Sequence, residues 1–215
     1  MSEPLPTTGS LAGFATFGPT TDVLWSRIAP ARTSGTRRTI LFMGTEHGVG
    51  TSTSACCAAI GLARNLKANV LLVEIGAGSS TLAGRLGLPE GPGFHELLLA
   101  GATLGACLRG CGQEGLAIVT AGRGVLPAGA LAGERAVTLF EELGRGRDFV
   151  LIDAPPLREH PELHPVLQFA REAVLVIEAD RTRSEHAKAL QETVQRAGLQ
   201  VIGAVLNRSK PTRLG

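Results

Sequence analysis

The residues from Gly44 to Thr53 read Gly-Thr-Glu-His-Gly-Val-Gly-Thr-Ser-Thr, the layout of a phosphate-binding loop. Such a loop works because glycines let backbone N–H groups close around phosphate oxygens. It also needs a lysine that reaches the β- and γ-phosphates and a Ser or Thr hydroxyl for Mg²⁺. Gly48, Val49, Gly50, Thr51, Ser52 and Thr53 are therefore the candidate nucleotide-binding residues, with Ser52 as the candidate metal ligand. Thr51 stands where the lysine belongs, so the loop keeps its cradle and its hydroxyl and lacks its cation. Asp153 ends the apolar run Phe149-Val-Leu-Ile, the position of a carboxylate that holds Mg²⁺ beside such a loop. If the site turns over, Asp153 is its catalytic carboxylate; the plainer alternative is a strand-ending carboxylate that caps the next turn. Glu74 ends another apolar run and is a weaker second candidate.

These residues need a scaffold that brings strand ends together. Apolar runs fall at 39–43, 69–74, 116–120, 149–153, 173–177 and 201–206. Continuous runs of this kind suit strands buried on both faces of a parallel sheet. Helical periodicity fills the segments 52–66, 81–86, 94–109, 130–144, 162–171 and 183–197. The alternation predicts an α/β fold, a doubly wound, mostly parallel sheet with helices on both faces. In such a sheet, ligands bind outside the carboxyl ends of the strands, where the Gly-rich loop, Glu74 and Asp153 all fall. The expected organisation is an extended, weakly ordered segment over 1–36, one domain over 37–209 and a short basic tail over 210–215. Within the first segment, Val23, Leu24, Trp25 and Ile28 predict one helical turn that packs onto the domain.

A chain of 215 residues with 44% hydrophobic content suits one packed domain. A net charge of +2 gives no basic footprint, so no nucleic-acid partner is expected. The sequence shows no secretory pattern and no apolar run long enough for a membrane span, so a cytoplasmic location is the expectation. Cys56 and Cys57, set among alanines, read as small buried residues. Cys107 and Cys111 would meet if their segment were helical. The histidines at 47, 95, 160 and 164 read as solvated loop and helix-face residues, and Arg181, Arg183 and His186 as a charged helix start.

Five segments together resemble the bacterial tyrosine kinases of the capsular exopolysaccharide family, P-loop proteins related to the ParA/MinD ATPases. They are Thr45–Thr53, Val70-Leu-Leu-Val-Glu-Ile-Gly76, Leu86–Leu98, Phe149-Val-Leu-Ile-Asp-Ala-Pro-Pro156 and Gly203-Ala-Val-Leu-Asn207, and they cover about residues 38–208. The resemblance implies ATP or ADP with Mg²⁺ as cofactor and places Asn207, with Arg208 beside it, near the adenine. It also implies a membrane-bound chain-length regulator, or polysaccharide co-polymerase, as partner, a location at the inner membrane through that partner, and homo-oligomers. Glu46 stands where the MinD/ParA branch carries a second lysine, and so favours the kinase branch. The short stretch Arg208 to Gly215 offers no amphipathic surface for lying on a membrane.

Departures from the family are equally informative. Besides Thr51, Glu74 replaces the first aspartate of the second motif and Gly76 replaces the second. The sequence holds no tyrosine, and no assembly motif is recognisable around Asp22, Trp25 and Ile28. A lost charge-assisted hydrogen bond costs about 1.5–3 kcal/mol, which would weaken triphosphate binding by roughly one to two decades. The expected protein is thus a regulator of exopolysaccharide synthesis on a kinase-like scaffold that does not transfer phosphate. The alternative is an active ATPase, kinase or MinD/ParA-like switch whose cation comes from elsewhere, with Arg123 and Arg208 as candidates.

Overall fold

A computed structural model describes residues 24–29, 37–76 and 82–209. The expectations for the rest of 1–36, for the loop after Gly76 and for 210–215 lie outside the described residues. Seven strands form one sheet: β1 (Arg38–Gly44), β2 (Val70–Glu74), β3 (Leu108–Gly110), β4 (Leu116–Val119), β5 (Phe149–Ala154), β6 (Glu172–Glu178) and β7 (Gln200–Asn207). Their order is β3-β4-β2-β5-β1-β6-β7, with β3 antiparallel to β4 and every other pairing parallel.

The inner strands are buried on both sides because they are apolar at consecutive positions, whereas the edge strand β7 is a correction to that expectation, with no buried residue and Leu206 53% exposed. Leu41 and Met43 of β1 join one core, with Val150 and Ile152 of β5. Ile40 and Phe42 join the other, with Leu151 and Val174. The second core is covered by α2 (Thr51–Leu66), whose small residues Ala55, Cys56, Cys57, Ala58 and Ala59 let it lie close on the sheet. The short α3 (Leu82–Leu86) adds Leu82 and Leu86 to the same side. The first core is covered by α4 (Phe94–Leu99), α6 (Glu134–Gly144) and α7 (Ser184–Arg196). There Phe140 stacks on Phe169 at 4.0 Å and tilts against Phe94 at 5.7 Å.

Residues 24–28 form the expected helical turn, α1, and dock as the sequence implies. Ile28 is buried, and Trp25 lies over α2 at Gly61, where any Cβ would stand 2.6 Å from the indole. Arg38 fixes this turn to the sheet: it donates to the Ile28 carbonyl and pairs with both Glu172 oxygens at 2.7 and 2.8 Å.

Three helix expectations are corrected. The segment 94–109 is not one helix but α4, then α5 (Leu104–Cys107), then strand β3. Gly101 turns the chain at positive φ and Thr103 caps α5, so the apolar periodicity runs through a break that it cannot register. Pro161–Phe169 is a 3₁₀ segment in place of an α-helix, because Pro165 inside it has no N–H to donate. Ala130–Ala132 is a separate 3₁₀ turn, split from α6 at Gly133. Cys107 and Cys111 do not meet on one helix face; they belong to opposite cores. No helix among the described residues is long and apolar enough to cross a membrane.

Candidate functional site

At the carboxyl ends of β1, β2 and β5 the structure forms a cavity of about 120 Å³. Gly48, Gly50, Thr51 and Ser52 line one wall, and Glu74, Gly76, Arg85, Asp153 and Pro155 line others. This is the crevice that a parallel sheet offers to ligands. Gly48 and Gly50 adopt φ of 82° and 99°, the left-handed conformation from which anion-binding loops of backbone N–H groups are built. Gly50 is also the N-cap of α2, so the positive end of a 16-residue helix dipole faces the cavity. Val49 holds the loop down by its own burial.

Asn207 lies against the phosphate-binding loop. Its Nδ2 donates to the Val49 carbonyl at 2.8 Å, its Oδ1 accepts from the Arg208 N–H at 2.9 Å, and it presses on Gly50 so closely that no Cβ fits there. Arg208 points away, to Glu178 Oε1 at 2.6 Å, and Arg123 pairs with Glu90 at 3.4 Å on the surface. Neither of the arginines named as substitute cations lines the cavity. The arginine that does is Arg85, whose Nη1 donates to Thr53 Oγ1 at 3.0 Å.

The two carboxylates end adjacent strands in register, Glu74 beside Asp153. Asp153 is buried, and burial raises its pKa to about 6 against a hydrogen bond from Ser52 and the charge of Arg85. Ser52 and Asp153 line the same cavity, as a shared Mg²⁺ site requires. Glu74 is spent differently. Its Oε1 accepts from the Leu82 N–H at 2.8 Å and its Oε2 from the Ala121 N–H at 3.0 Å. Burial still raises its pKa to about 7, helped by the neighbouring Asp153. Gly76, at φ 97°, leaves no room for a side chain, since a Cβ would lie 2.9 Å from the Pro155 ring.

The histidines divide. His47 is exposed as expected, and its backbone N–H donates to Glu159 Oε1 at 2.9 Å. His164 is exposed, and His160 pairs with Glu162 at 3.1 Å. His95 is a correction: it is only 3% exposed, with Nδ1 3.3 Å from the Arg123 carbonyl oxygen and Nε2 unbonded. His186, expected on a solvated helix start, instead sits between Arg158 and Glu46, 3.3 Å from Glu46 Oε1. Sequence reasoning missed Arg85 and Glu159. Arg85 lies 34 positions beyond Thr51 on a short helix, where nothing in the local pattern marks it.

No family model matches the chain. A Staphylococcus aureus protein named for a tyrosine-protein kinase, CapB, is 30% identical over 122 residues, or 56% of this chain and 54% of that protein. The chain thus matches about half the length of that relative. The chimeric protein CapA2B2 superposes with a TM-score of 0.81 at 22% identity, over 96% of both chains. The kinase domain of Escherichia coli tyrosine kinase ETK gives 0.79 at 17% identity, over 99% of this chain and 87% of that one. The chain is similar in sequence to a bacterial tyrosine kinase and has the ParA/MinD-like P-loop fold. The MinD protein of Pyrococcus horikoshii OT3, solved with Mg-ADP, aligns at TM-score 0.63 and 21% identity, over 81% of this chain and 73% of that one.

Proposed function

We propose that this domain is a nucleotide-binding regulator built on a tyrosine-kinase scaffold, one that binds Mg-ADP or Mg-ATP and does not transfer phosphate. The observation that carries this reading is the division within the cavity. The glycine loop is in place and Ser52 and Asp153 line the same cavity, while Thr51 replaces the lysine and Gly76 stands where no second carboxylate fits. The residues fit a Mg-nucleotide through the N–H groups of the loop from Gly48 to Ser52, with Ser52 and Asp153 as the metal's protein ligands. A bound nucleotide would supply the phosphate and Mg²⁺ charge that this set is shaped to receive. Without a lysine, charge that develops during phosphoryl transfer goes unmatched in the loop, and the sequence offers no tyrosine as acceptor.

The reading extends to exopolysaccharide synthesis, with a membrane chain-length regulator as partner and a cytoplasmic position at the inner membrane through it. Likeness to CapB, and to a chimaera whose name joins CapA to CapB, supports that extension. The test is calorimetric titration with Mg-ADP together with a phosphate-release assay. Binding without release is the expected result. ATP hydrolysis that the Asp153→Ala substitution abolishes would overturn the reading in favour of an active P-loop ATPase.

A further inference from the structure

We propose that Arg85 takes over from the missing lysine, its guanidinium entering the cavity from α3 to meet the phosphate chain of a bound nucleotide. The inference rests on the nucleotide-binding reading above and identifies the residue that makes such binding feasible. Among the described residues, Arg85 is the only arginine or lysine that lines the cavity. It comes from α3, on the same side of the sheet as α2, and donates to Thr53 Oγ1 at 3.0 Å, one half-turn beyond Thr51 on the first turn of α2. Its charge therefore stands at the mouth of the loop that lost its own. Both cavity carboxyls sense that charge, since Arg85 favours the ionised forms of Asp153 and Glu74 against their burial.

Chemistry suits the exchange. A guanidinium presents a planar fork that binds two phosphate oxygens at once, whereas an ammonium acts as a point charge. An arginine on a separate helix can approach the phosphates from outside the loop, so the loop position itself is released to a small residue. Thr51 uses that release: its hydroxyl packs back toward the end of β1, 2.5 Å from where a Cβ on Gly44 would stand. The competing account is that Arg85 only steadies Thr53 and offsets the two buried carboxyls. The two accounts differ in one respect. A phosphate-binding cation matters in proportion to the phosphates, and a structural one does not.

The test is displacement of a fluorescent ADP by ADP and by adenosine, for wild type, R85A, R85K, T51K and the R85A/T51K double variant. Melting curves confirm that each protein folds. Expected is a loss of ADP affinity of about 10- to 100-fold in R85A, with adenosine unchanged, a smaller loss in R85K and recovery in R85A/T51K. If wild type binds ADP and R85A binds it equally well, the role of Arg85 is overturned and the nucleotide reading stands. Equal losses of ADP and adenosine also overturn it, because they report cavity shape. Binding by T51K but not by wild type shows that Arg85 supplies no usable charge. Absence of binding in both proteins removes the nucleotide reading and the proposal together.

Discussion

Two loops leave neighbouring parts of the same sheet edge and have gone different ways. The loop after β1 keeps a ligand-binding shape: left-handed glycines, the N-terminus of α2 and a Ser52 side chain that lines the same cavity as Asp153. The end of β2 has become structural. Both oxygens of Glu74 are committed to backbone N–H groups of Leu82 and Ala121, and Gly76 lies against Pro155. The difference teaches that a carboxylate at a site is informative only once its hydrogen bonds are counted. Each oxygen of Glu74 accepts a backbone N–H, whereas no described backbone N–H donates to the Asp153 carboxyl.

Substitutions that attack each loop should therefore separate stability from binding. The largest effect is expected at Gly50→Val. The new side chain must enter a positive-φ position already pressed by Asn207, so stability falls by about 3 kcal/mol and nucleotide binding is lost. Urea unfolding and ADP titration check both halves. Next is Glu74→Ala, which leaves two buried N–H groups unpaired and costs about 2–3 kcal/mol in urea. Asp153→Asn should do the opposite. It removes a desolvated carboxylate, holds or raises stability, and abolishes Mg²⁺-dependent binding, read by titration with and without Mg²⁺. A destabilised Asp153→Asn protein with intact Mg²⁺ dependence would erase the contrast between the two carboxylates. Gly76→Asp restores the family's residue, but at φ 97° and against Pro155 it should cost about 1–2 kcal/mol and gain no Mg²⁺ affinity.

The same two carboxyls also set a pH dependence. Folding raises Asp153 from 3.8 to about 6 and Glu74 from 4.5 to about 7. Between those values the folded protein binds more protons than the unfolded chain, so this contribution is fully present below about pH 4 and is lost as pH rises toward 7. The melting temperature should thus fall by roughly 10 °C between pH 5 and pH 7.5. Paired Glu74→Gln and Asp153→Asn substitutions should flatten the profile. A flat profile in wild type would mean that the two carboxyls are better solvated than their burial implies.

Much of this was legible in the residues. All six apolar runs became strands, five of them buried because consecutive apolar positions leave no face for water and the sixth, β7, exposed at the sheet edge, and α2 began where the glycines end. Hidden from that pattern were the break at Gly101, the 3₁₀ course around Pro165 and the antiparallel strand β3. Three residues at Leu108–Gly110 are too few to show a period, and their partner Leu116–Val119 supplies the hydrogen bonds. His95 looked solvated beside Glu96, and only packing shows it buried.

The sequence by itself determined the fold class, the phosphate-loop layout with Thr51 in place of lysine, and the carboxylate at Asp153, because these are local facts of residue type and spacing. Tertiary structure decided which groups are available for chemistry. It turned Asn207 onto the loop, Arg208 toward Glu178 and Glu74 into the backbone, and it brought Arg85 from 34 positions away to the cavity. The physical reason is that charge and hydrogen-bonding capacity act through space. Their use is settled only when the chain has closed and each donor has found its nearest acceptor.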